Sequence, residues 1–127
     1  MAEQLANLDK GVVGKLITAT YPTTSVPNST YTTIGTINLK ANHTYIICAS
    51  HQYSTAAANV ATVARLQLDN SNKAIYRTAN GMYNGGGISL SAIVNVASDS
   101  AINFDAWQGS GNTQKVASVN MNAYQLD

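Results

Sequence analysis

The chain has 127 residues, of which 45% are hydrophobic and only 10% charged, with a formal net charge of +1. This length fits one domain, and the apolar content excludes a disordered chain. The seven cations, Lys10, Lys15, Lys40, Arg65, Lys73, Arg77 and Lys115, are scattered. Phosphate neutralisation needs a clustered patch, so no nucleic-acid partner is expected.

Residues 1–15 read as an N-terminal arm or attachment segment, and 16–127 as a single all-β domain. The arm carries Glu3 and Asp9 and no long apolar run, so no secretion signal is expected. Leu5 and Leu8 give it one weak apolar edge, and strand character begins near Val12. Both prolines, Pro22 and Pro27, fall among Thr, Ser and Asn, which predicts a loop over 20–30. Residues 31–39 alternate, and a turn at 40–42 leads into 43–51, the strongest strand signal in the chain. There Tyr45, Ile47 and Ala49 share one face, while Ile46 and Cys48 share the other. With apolar residues on both faces, this strand should be central and covered on both sides.

Residues 60–68 alternate cleanly, a turn follows at 69–72, and a short strand is expected at 74–78. Asn80-Gly81 and Asn84-Gly85-Gly86-Gly87 predict a long loop around Met82 and Tyr83. Strands are expected at 88–96, 101–107 and 116–126, with turns or Gly/Ser-rich loops between them. About eight short strands with no convincing interior helix argue an antiparallel sandwich of jelly-roll type.

Few residues suggest chemistry. Cys48 is the one cysteine, so no intrachain disulfide forms, and its apolar surroundings suggest a buried small hydrophobe. Asp99 and Asp105 form a conceivable carboxylate pair, but a turn former and a solvated strand residue explain them more simply. His43 and His51 lie eight residues apart, roughly 25 Å along an extended strand, too far to share one metal ion. The triple glycine lacks the lysine and strand–loop–helix setting of a phosphate loop. No enzyme, cofactor or metal is therefore expected. No stretch approaches the ~18 apolar residues of a membrane span. Trp107, beside the loop 108–113, and Tyr83, in the glycine loop, are candidate ligand-binding residues for a sugar face. Asn28-Ser29-Thr30 and Asn42-His43-Thr44 match glycosylation acceptors, a pattern that arises easily in an Asn- and Thr-rich chain.

Four motifs occur in order: Ile34-Gly35-Thr36-Ile37; Asn42-His43-Thr44-Tyr45-Ile46-Ile47; Ser98-Asp99-Ser100-Ala101-Ile102-Asn103-Phe104; and Asn122-Ala123-Tyr124-Gln125-Leu126. In this order they resemble the trimeric complement/tumour-necrosis-factor-like jelly roll, as found at the tips of bacteriophage fibres and in receptor-binding proteins. The likeness covers about half the chain. His43-Thr44 stands where the pattern has glycine before tyrosine, and Ser98-Asp99 where it has Gly-Asp. The resemblance implies a homotrimer, with Tyr45, Ile47, Phe104 and Tyr124 at or near the three-fold interface. It implies that the arm joins other virion proteins and that distal loops meet a host receptor or surface glycan, in a virion or extracellular setting. The expected function is a non-enzymatic viral structural protein: a fibre head, an adhesin tip or a capsid-surface protein. The alternative is a monomeric cellular carbohydrate-binding module that depends on Trp107 or Tyr83.

Overall fold

In a computed structural model, residues 15–54, 60–68, 75–83 and 87–127 are described, with backbone alone for Val60 and 75–83. Nine strands follow in order: β1 Lys15–Thr18, β2 Ser25–Val26, β3 Thr32–Leu39, β4 His43–Tyr53, β5 Val60–Leu68, β6 Ile75–Tyr83, β7 Gly87–Val96, β8 Ser100–Gln108 and β9 Gln114–Gln125. They form two antiparallel sheets. One runs β1-β9-β4-β7, with β2 also on β9, and the other runs β3-β8-β5-β6. Apart from β5 and β6, neighbours within a sheet are distant in sequence. This interleaving is the double Greek key of the jelly roll.

Period-two alternation creates the core. Along β4, Tyr45, Ile47, Ala49, His51 and Tyr53 turn inward and are buried. The facing sheet supplies Ile34, Ile37, Leu66, Ile102 and Phe104, all almost without solvent contact. A bulge in β3 between Thr33 and Gly35 brings Gly35 opposite Phe104. A Cβ at Gly35 would lie 3.0 Å from the Met121 sulfur, so the bare backbone there lets the sheets close. Asn42 takes a positive φ of 66°, which Asn tolerates and the tight β3–β4 turn requires.

Several expectations change. The loop over 20–30 contains β2, whose Val26 is fully buried. The short strand at 74–78 is a nine-residue strand, and the expected glycine loop shrinks because β6 runs to Tyr83 and β7 starts at Gly87. Backbone pairing to β5 overrides the local turn signal of Asn80-Gly81, which stand opposite Val63 and Thr62. Of the arm, residues 1–14 lie outside the described residues, and Lys15 opens β1. The strand β4 is interior, as its sequence demands, yet among the described residues only one of its faces is covered. Cys48, expected to be buried, is exposed on the other.

Candidate functional site

The outer face of the five-stranded sheet, uncovered among the described residues, is built by the residues that alternate with the core. Its outward positions on β4 are Thr44, Ile46, Cys48, Ser50 and Gln52. Register sets Leu16 of β1 opposite Tyr124 of β9, Tyr124 opposite Ile46, and Ile46 opposite Ile93 of β7. One apolar row therefore crosses all four strands. Leu16 is 50% exposed, Tyr124 39% and Ile93 69%. Single exposed apolar residues are ordinary; a register-aligned row of them is the pattern that distinguishes contact surfaces.

The remainder of the face is polar without charge. Thr18, Asn122, Cys48 and Ser91 lie in the next outward row, and Asn120, Ser50 and Ser89 in the one beyond it. No Asp, Glu, Lys or Arg occupies an outward position of β4 or β7, or of the part of β9 paired to them. At the far end lies a half-open depression of about 280 Å³, bordered by Ser50, Gln52, Gly87, Ser89, Ser118 and Asn120. Gly87 shapes this rim, because a Cβ there would come within 2.9 Å of the His51 carbonyl oxygen.

Behind the face sits His51, 2% exposed, with neither ring nitrogen hydrogen-bonded among the described residues. Its ring lies edge-on to Tyr53 at 5.1 Å and tilted against Phe104 at 5.5 Å. Burial lowers its pKa to about 4, so the imidazole is neutral near pH 7.

The outer face of the four-stranded sheet has a different character. The Asp105 carboxylate accepts a hydrogen bond from the Thr33 hydroxyl at 2.7 Å and one from Arg65 Nε at 2.9 Å. The Arg65 guanidinium carbon lies 3.7 Å from the centre of the Tyr31 ring. Trp107, partly buried, stands two residues from Asp105 on this face and opposite Val63. The neighbouring end of β8 is anchored by buried Gln108. Its side-chain amide donates to the Val26 and Asn112 carbonyls and accepts from the Ser110 N–H.

The residues singled out from sequence therefore separate. Tyr45, Ile47 and Phe104 fill the space between the sheets with no solvent contact, so they cannot touch a sister copy. Tyr45 and Ile47 share a face as the alternation predicts, but that face is the core between the sheets and not a three-fold axis. Tyr124 is on the open face. Trp107 is on the opposite sheet, and the Tyr83 side chain lies outside the described residues. Asp99 is a surface turn former that accepts from the Ala41 N–H at 2.8 Å, remote in role from Asp105. His43 lies 3.5 Å from the Asp127 carboxylate. Leu16, Ile46 and Ile93 were not singled out; their signal was the apolar residue on the supposedly secondary face of each strand.

No protein-family model and no curated protein matches the chain. Among solved structures, murine APRIL is similar at TM-score 0.61 and 7% identity, over 87% of this chain and 98% of that one. The infectious bursal disease virus VP2 subviral particle is similar at TM-score 0.56 and 11% identity, over 87% of this chain and 32% of that one. The chain thus spans about a third of the length of the viral proteins it matches. A carbohydrate-binding module of Cellvibrio mixtus lichenase 5A aligns more loosely, at TM-score 0.43. The chain is a jelly roll. At such identities the likeness extends to the fold alone.

Proposed function

We propose that this chain is a non-enzymatic structural module of a virus particle, a phage fibre head or capsid-surface protein, that works as a homotrimer. The observation that carries the reading is the charge-free outer surface of β4, β7 and the part of β9 paired to them, crossed by the row Leu16, Tyr124, Ile46 and Ile93. A second copy of this chain suits that face because self-association needs no charge complement, and like charges facing each other would repel. Three strands of ten to twelve residues and the four-residue β1 offer roughly 500 Å². A standard interface uses about 800 Å² per partner, so the face needs help from its margins. A ring of three requires a second, different patch on each copy. That second patch lies elsewhere on the surface than the row itself. Covering one such row contributes on the order of 5 kcal/mol per copy.

Further support comes from the low charge, which a largely covered surface permits, and from the shared fold of a viral capsid protein and a cytokine. The test is the solution mass by light scattering. The expected value is three copies of the 13.4 kDa chain, about 40 kDa. A stable 13.4 kDa species at micromolar concentration contradicts the proposal and favours a monomeric binding module.

A further inference from the structure

We infer that the outer face of the four-stranded sheet is a binding platform for a neutral saccharide, with Trp107 and Tyr31 as its stacking surfaces. Three features point to it. First, both rings lie on the solvent side of a sheet instead of filling the core. Tyr31 is 41% exposed, and the Trp107 ring extends along the sheet to Gly109, where a Cβ would sit 3.2 Å from the ring. Glycine at 109 leaves room for the edge of the indole. Flat aromatic faces beside polar groups suit the apolar C–H faces of a sugar ring.

Second, the platform is fixed before any ligand arrives. Tyr31 is stacked on Arg65, Arg65 is paired to Asp105, and Asp105 is held by Thr33. The Gln108 bonds lock the strand end that carries Trp107. Such preorganisation reduces the ordering cost of binding. Third, the charges cancel. Among the described residues the cluster holds one cation, Arg65, and it is matched by Asp105, so these groups offer a phosphate or sulfated polymer no excess positive charge. A hydroxyl-rich neutral ligand finds directional donors and acceptors beside the rings.

The platform lies on the sheet opposite the proposed assembly face, so it remains outward when copies pack. The site itself is complete in one copy and does not rest on the trimer; only its avidity does.

Trp107 is the sole tryptophan, so its emission reports occupancy directly. The probes are cellotriose, maltotriose, lactose and N,N′-diacetylchitobiose, with a heparin hexasaccharide as the anionic arm, each titrated to millimolar concentration. The expected result is a saturable emission shift with at least one neutral sugar, matched by saturation-transfer NMR on the ligand. Trp107→Ala and Tyr31→Ala, followed by NMR, should each weaken binding by about tenfold, and Trp107→Tyr should restore part of it. Tyr31 is exposed, so its variant keeps the test valid if Trp107→Ala fails to fold. Binding should persist in a monomeric Ile93→Lys variant, which separates this site from the assembly reading. The inference is overturned if no neutral sugar shifts the emission, if both alanine variants bind as wild type, or if heparin alone binds.

Discussion

His51 makes the stability of this fold acid-sensitive by an amount the structure sets. The ring is packed among Tyr53, Phe104, Ile88 and Val119. Tyr53 is the one other titratable side chain among these neighbours. The inward positions of β3, β5 and β8 that face it from the other sheet carry no charge. In the unfolded chain His51 titrates at its ordinary 6.5; in the fold, desolvation lowers this to about 4. As pH falls below 6.5, the unfolded state gains a proton that the folded state refuses. Stability therefore drops through this window and levels off near pH 4, where both states are protonated. A gap of about two and a half pH units corresponds to about 3 kcal/mol, a large share of the 5–15 kcal/mol typical of a domain.

Urea unfolding followed by Trp107 fluorescence from pH 7.5 to 4.5 measures this loss. It is best done in Ile93→Lys, so that dissociation does not intrude. The midpoint should fall by on the order of 1–2 M. His51→Leu should flatten the curve over the same window. It should also raise stability at pH 7.5, because two buried nitrogens without partners among the described residues are removed. An equal pH slope in His51→Leu and its parent would refute the reasoning.

Other substitutions probe separate parts of the account. Arg65→Met strands the buried Asp105 carboxylate with Thr33 alone and should cost about 3 kcal/mol in chemical unfolding; the double change Arg65→Met with Asp105→Leu should recover most of it. Phe104→Ala opens a cavity between the sheets and should cost about 3–5 kcal/mol, seen as a lower thermal midpoint. Cys48, exposed on the open face, is a built-in reporter: a thiol reagent should modify it slowly in the wild-type assembly and rapidly in Ile93→Lys. Gly87→Val forces a side chain onto the His51 carbonyl and should loosen the β4–β7 pairing, read as faster amide exchange in β7.

Much of the fold was legible because alternation is local. The strand over 43–51 declared both its centrality and its two-sided apolarity, and the turns at Asn42 and Ser98-Asp99 fell where left-handed or hydroxyl-rich residues ended the pattern. The glycine-rich stretch misled because Asn80-Gly81 carries a turn signal in isolation, whereas its pairing with β5 is long-range. The interface was legible only in part. Alternation shows that β4 has two apolar faces but not which one the second sheet covers, so it cannot tell the core residues Tyr45 and Ile47 from the outward Ile46. Cys48 is exposed for the same reason: it shares the outward parity of Ile46, on the face that the second sheet does not cover. The pairing of Arg65 with Asp105 joins residues 40 apart across two strands, and spacing gave no hint of it.

Sedimentation of wild type against Ile93→Lys at equal micromolar concentration tests the claim that the open sheet face closes between sister copies. Wild type should sediment as one species near 40 kDa, and Ile93→Lys as a folded 13.4 kDa monomer with an unchanged β-type circular dichroism spectrum. Two identical sedimentation profiles, whether both trimeric or both monomeric, would contradict it.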